Sequence, residues 1–207
     1  MNKKLPKLHK VGDYWVRPGD YLKNGATVVK EGVNFTIHSV HAVGMELLLF
    51  KEAQIEPFAV IPFPESYRIG DTYSMIVFDL DMKEFEYAFR VIEYAEDGVT
   101  LRKSPPLLDM YAHAVAGQSN WGKHADEGVF YKARVVQSEF DWGAFVQPEH
   151  DFKDLIIYEM HVRGFTRDKS SKVAHPGTFA GILDKLDYLL DLGVNAVELM
   201  PIFEFDE

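Results

Sequence analysis

Residues 155–201 read LIIYEMHVRGFTRDKSSKVAHPGTFAGILDKLDYLLDLGVNAVELMP, and this stretch decides the fold of the second half of the chain. Leu155-Ile156-Ile157-Tyr158 is a short apolar run, the pattern of a strand buried on both faces. Asp168–Gly177 reads as a loop, and Thr178 is a fair helix N-cap. Phe179, Ile182, Leu183, Leu186, Leu189 and Leu190 then recur at helical spacing, and Gly193 stands where a glycine stop belongs. Val194–Pro201 is a second buried strand. Strand, helix and strand in that order predict one parallel βαβ unit, right-handed by strong chiral preference.

Working outward, residues 1–140 carry a different pattern. Gly32–His38, Gly44–Phe50, Phe58–Ile61, Tyr73–Phe78, Phe85–Ile92 and Val129–Val136 are short segments rich in β-branched and aromatic residues. Turn signals separate them: Lys23-Asn24-Gly25, Pro62 and Pro64, Ile69-Gly70-Asp71, and Glu96-Asp97-Gly98. Strands at this spacing predict an immunoglobulin-like β-sandwich; periodicity alone leaves a partly open barrel as the alternative. Ser104–Lys123, with Pro105-Pro106, reads as a structured loop, and the start of the chain around Trp15 reads as unstructured. Asp141–Asp151 looks like a linker. The expected organisation is therefore a sandwich with linker over residues 1–150 and a βαβ unit over residues 151–207.

One βαβ unit leaves an edge and a sheet face uncovered. A (β/α)8 barrel takes roughly 250 residues. The expectation is that these residues are the first strand, helix and strand of such a barrel, whose later strands lie beyond residue 207. A tail packed on the sandwich is the alternative. An unfinished barrel would also be prone to self-association.

Composition narrows the function. The 207 residues are 47% hydrophobic and 26% charged, which is globular composition. The net charge of −10 disfavours nucleic-acid binding, which needs basic patches. A neutral substrate tolerates that charge. No apolar run approaches the ~20 residues of a membrane helix. No secretory leader is legible in MNKKLPKLHK. With no cysteine, thiolate catalysis and Cys-ligated metals are excluded, and the cytosol is the expected compartment. His38 and His41 lack a third ligand and read as surface residues, so neither metal nor cofactor is expected.

Four motifs make the pattern specific. They are GVNFTIHSVHAVGMELLLF (32–50), LLDMYAHAVAGQSNWGK (107–123), DLIIYEMHVRGFT (154–166) and GTFAGILDKLDYLLDLGVNAVELMPIFEFDE (177–207). In this order they resemble the isoamylase-type and glycogen-debranching enzymes of the α-amylase superfamily. Those enzymes place a β-sandwich glycan module before a (β/α)8 barrel. Two motifs depart from the usual form: Lys23-Asn24-Gly25-Ala26 stands where Pro-Leu-Gly-Ala is common, and Leu108-Asp109-Met110-Tyr111-Ala112 where Leu-Asp-Pro-Tyr-Ala is.

The resemblance implies hydrolysis of α-1,6 branch linkages in glycogen or starch, with retention. Retention takes two carboxyl groups roughly 5–5.5 Å apart. In the superfamily they sit at the ends of barrel strands 4, 5 and 7, so no catalytic residue is assigned here and the chain alone is expected to be inactive. The alternatives are a stand-alone α-glucan-binding protein and a fragment of a branching or trehalose-releasing enzyme.

Candidate substrate-binding residues are Trp121, Trp142, His161, Arg163 and Glu204. Trp15, Trp121 and Trp142 are exposed-aromatic candidates for stacking on sugar C–H faces, and Trp121 and Trp142 read alternatively as wedges between two modules. His161 and Arg163 alternate with Glu159 on one side of the first barrel strand, nearing its C-terminal end, where barrel active sites lie. Glu204 follows the second strand. Glu159 and Glu198 are expected at similar heights on the two strands, as buried residues paired with a cation.

Overall fold

The computed structural model describes residues 8–82, 84–117, 130–137 and 140–202. The chain divides at Phe140 into two compact units.

The first unit holds strands β1 (His9–Val11), β2 (Tyr14–Pro18), β3 (Gly25–Val29), β4 (Gly32–His38), β5 (Gly44–Phe50) and β6 (Ala59–Pro62). It continues with β7 (Arg68–Ile69), β8 (Thr72–Phe78), β9 (Glu86–Tyr94), β10 (Leu101–Lys103), β11 (Ala114–Ala116) and β12 (Lys132–Arg134). Among the described residues these form two six-stranded sheets. One has the order β1-β2-β8-β4-β3, with β7 beside β8; the other has β11-β12-β9-β5-β6, with β10 beside β9. All these pairings are antiparallel.

The core lies between the sheets because each strand alternates. Val33 and Phe35 of β4, Tyr73 and Met75 of β8, Leu47 and Leu49 of β5, and Tyr87 and Phe89 of β9 all point into one buried cluster. Each such side chain contributes about 1.5–3 kcal/mol when fully buried. The sandwich expected from the sequence is therefore present, and β4 and β5 begin and end where the pattern put them.

The start of the chain differs from expectation. Tyr14–Pro18 is a paired strand, and Val16 is fully buried beside Val77. Gly25 opens β3 rather than ending a turn: its φ of +79° lets the chain swing into the strand. A Cβ there would sit 2.9 Å from the Tyr111 backbone oxygen.

Two polar devices fasten the first unit. On the outer face of the first sheet, Asn34, Thr36 and Ser74 are fully buried. Asn34 Oδ1 accepts from the Asp20 N–H at 2.7 Å, and Thr36 Oγ1 donates to the Asp20 carbonyl at 3.1 Å. They tie down the 19–24 loop. On the other sheet, Lys132 Nζ lies 2.7 Å from Glu86, and Arg134 reaches the same carboxylate at 2.8 Å. Lys132 also sits 5.2 Å from the centroid of the Phe50 ring. Burial pushes the Glu86 carboxyl up, but the hydrogen bonds from Lys132 and Arg134 outweigh it and hold it below the ordinary value.

The second unit pairs β13 (Ile157–Met160) with β14 (Ala196–Leu199) in parallel, Glu159 opposite Glu198. Three short helices connect them: α1 (Val162–Arg167), α2 (Phe179–Leu183) and α3 (Leu186–Asp191). Two are corrections. The stretch expected as one helix from Thr178 breaks at Lys185, whose φ of −114° and ψ of 9° leave the helical region. Just before the break, the Asp184 carboxylate turns back to accept the Ala174 N–H at 3.2 Å. The stretch after Met160 is helix α1 rather than the end of a strand. The expected ends hold: Thr178 Oγ1 accepts from Gly181 N at 3.2 Å. Past α3, Val194 N donates to the Leu189 carbonyl at 3.0 Å around Gly193 (φ +86°), a glycine-terminated helix end.

Met160, Ile182, Leu189 and Val194 form the small core of this unit, with Tyr158, Val162 and Phe165 against it. Much of its apolar surface stays exposed, including Ile157 at 49%, Leu190 at 67% and Met200 at 40%.

Candidate functional site

The candidate residues His161 and Arg163 sit at the C-terminal end of β13, but not on the strand. His161 is the N-cap of α1: its Nδ1 accepts from the Gly164 N–H at 3.0 Å. With Nδ1 occupied as acceptor, the neutral ring carries its proton on Nε2. Helix rather than strand follows because His161 replaces one orphan donor's missing partner. The chain leaves strand geometry past Met160, so His161 and Arg163 do not alternate with Glu159, contrary to expectation.

The HVRGFT motif works as a unit. Phe165 packs edge-on against Tyr158, ring centroids 5.9 Å apart. Thr166 is fully buried and accepts the Gly177 N–H at 2.8 Å through Oγ1, while its carbonyl accepts from Ser171 Oγ at 2.8 Å. Gly177, at φ +75°, folds over Arg163: a Cβ there would lie 3.3 Å from Arg163 Cγ. Gly181 is equally constrained, since a Cβ would fall 2.8 Å from Thr166 Oγ1. The chain thus passes close to α1 at two glycines, Gly177 in the loop and Gly181 in α2.

Asn195 sets the strand register. Its Oδ1 accepts the Ile156 N–H at 2.7 Å, and its Nδ2 donates to the Asp154 carbonyl at 2.9 Å. One side chain thereby bonds both ends of the segment entering β13. Its signal in the sequence is an amide immediately before an apolar strand pattern. Glu159 and Glu198 face each other across the pair, as expected, but both are exposed rather than buried.

Trp142 belongs to an aromatic group. The Phe140 ring meets it edge-on at 4.7 Å and the Phe145 ring is tilted against it at 5.6 Å, while Trp142 itself remains 66% exposed. Asp141 Oδ1 accepts the Gly143 N–H at 2.7 Å, which bends the backbone between the rings. The structure thus brings His161 and Arg163 into one helical turn and places Trp142 with Phe140 and Phe145. Trp121 and Glu204 lie outside the described residues. Among the described residues no group of three His, Asp or Glu is placed to hold a metal ion. His38 instead meets Thr72 Oγ1 at 3.3 Å. No helix among them is long and apolar enough to cross a membrane.

In the sandwich, the Leu108–Ala112 loop is locked from below. Asp109 is buried; it accepts Tyr87 Oη–H at 2.7 Å and the Tyr111 N–H at 2.9 Å. Gly25 lies against the same Asp109 and Tyr111. Two motifs far apart in sequence are therefore one joint. Residues 23–112 match the family carbohydrate-binding module 48, described as the isoamylase N-terminal domain. The match thus runs from the loop ahead of β3 to the loop that Asp109 anchors, while β1, β2, β11, β12 and the whole second unit lie outside it.

The similarity extends past the module. The chain is 35% identical over 194 residues to isoamylase SU1 of Zea mays, covering 88% of this chain and 25% of that protein. It is 31% identical over 184 residues to the glycogen operon protein GlgX homolog of Haemophilus influenzae, covering 82% of this chain and 26% of that protein. The chain therefore spans about a quarter of the length of these relatives. Among solved structures, the pullulanase of Paenibacillus barengoltzii in complex with maltohexaose and α-cyclodextrin is similar with a TM-score of 0.69. Identity there is 22%, over 91% of this chain and 28% of that one, a likeness of fold.

Proposed function

We propose that this chain supplies the glycan module and the opening of the catalytic barrel, strand 1 to strand 2, for an α-glucan debranching hydrolase. In this reading residues 1–150 are the module with its linker and residues 151–207 the barrel's first βαβ unit. The reaction is retaining hydrolysis of α-1,6 branch linkages in glycogen or starch. The observation that carries the reading is the continuous similarity to isoamylases, which runs through both units. The parallel pair with its exposed apolar strands fits a sheet that neighbouring strands complete.

His161 and Arg163 then lie at the strand-end face where barrel active sites are built. The His161 Nε2–H and the Arg163 guanidinium are donors suited to sugar hydroxyls. Trp142 presents a ring to the glucan, and Trp121 and Glu204 are further candidates for glucan contact. Glu159 and Glu198 sit lower on the same strands and take no chemical role.

The catalytic carboxylates of a retaining pair are assigned to later strands, so the 207-residue chain alone is expected to release no reducing ends from amylopectin. Release at an enzymatic rate by the purified chain would contradict the proposal. Products of the polypeptide encoded by the complete reading frame separate the related chemistries. Linear chains support debranching, whereas new branches or trehalose would move the assignment to a branching or trehalose-releasing enzyme.

A further inference from the structure

We infer that the outer face of the β1-β2-β8-β4-β3 sheet carries an α-glucan-binding site centred on Trp15. This rests on the carbohydrate reading above but concerns residues ahead of the matched module, which starts at residue 23.

Val16 points into the core, so its neighbours Trp15 and Arg17 point outward. Lys10 is the cross-strand partner of Trp15 on β1. On the other side, the Arg17 guanidinium lies over the Phe78 ring, 5.4 Å from its centroid, so Phe78 shares that face. Beyond Phe78 the next strand presents Gly32, its cross-strand partner. A Cβ on Gly32 would lie 2.5 Å from the Val77 carbonyl oxygen, so the row stays bare there. The result is a shallow row: a cation, a large aromatic ring, a second ring capped by a guanidinium, and a flat glycine.

Trp15 is 47% exposed on a sheet face, where an aromatic ring of that size ordinarily gains by being covered. Lys10 and Arg17 have no carboxylate partner among the described residues. Their free N–H groups flank the ring and donate only. An apolar plane flanked by donors matches a neutral polyol with one C–H face and a rim of hydroxyl acceptors. The Arg17–Phe78 stack holds the guanidinium in place before a ligand arrives. A linear α-1,4-glucan chain is the ligand this chemistry takes.

The chain contains three tryptophans, so its indole N–H resonances are few enough to assign by Trp→Phe substitution. Titration of the 15N-labelled 207-residue chain with maltoheptaose is expected to move the Trp15 indole resonance saturably. Trp15→Ala should weaken binding at least about fivefold without lowering the melting temperature. A Trp15 resonance that stays still at saturating millimolar maltoheptaose overturns the inference. If the Trp121 or Trp142 resonance moves instead, this site falls while the carbohydrate reading stands; that reading is tested independently by the debranching assay.

Discussion

Tyr87 and Asp109 show how a single buried hydrogen bond shapes a loop. Burial and the adjacent Asp109 carboxylate hold the Tyr87 phenol far above its ordinary range, so it stays a donor at every working pH. Tyr87→Phe leaves the buried Asp109 carboxylate without that donor. The expected cost is about 1.5–3 kcal/mol, read by urea unfolding. Gly25→Ala attacks the same joint from the other side. It combines a φ of +79° with a close approach to Tyr111, and should destabilise by about 1–3 kcal/mol. In the second unit, Asn195→Ala removes two bonds to the segment entering β13. Faster hydrogen exchange of the Ile156 amide, with little change in the sandwich amides, is the expected outcome.

Elements were legible where their period was clean. β4 alternates after Gly32 and β5 is an apolar run opened by Gly44, so their limits could be read directly. β2 and β3 were missed for physical reasons: β2 contains a single buried residue, Val16, and β3 opens on a glycine that looks like a turn. The α2–α3 break was invisible because Ile182 and Leu183 keep helical spacing to Leu186 across it. Helix α1 hid behind Gly164 and an uncommon cap, histidine. The site suffered accordingly: His161 and Arg163 were named from the motif, but their placement depends on that cap. Cross-strand charge is a second element-scale device. Glu86 has a lowered pKa in the folded chain, so its contribution is complete above the unfolded value of about 4.3. It is lost as pH falls through the lower folded value. Glu86→Gln should therefore flatten the loss of stability on acidification below about pH 4. Lys132→Met leaves the buried carboxylate with Arg134 alone and should cost about 3 kcal/mol.

At the scale of the whole molecule, the two units differ in how much core they possess. Among the described residues, the sandwich buries 19 apolar residues in one cluster and the strand–helix–strand unit buries four. A chain ending at residue 139 is therefore expected to keep a cooperative melt, whereas residues 140–207 alone should show none by calorimetry. The exposed Ile157, Leu190 and Met200 also predict concentration-dependent self-association of the 207-residue chain, which sedimentation velocity would detect. Loss of that association on adding charge at Leu190 would place it in the second unit.

We propose that these two units serve an α-1,6-debranching hydrolase. The most direct measurement is the proton NMR spectrum of amylopectin during incubation with the polypeptide encoded by the complete reading frame. Loss of the α-1,6 anomeric signal, with new reducing ends formed first as the α-anomer, is the predicted result. An unchanged α-1,6 signal, or one that grows, would rule out debranching.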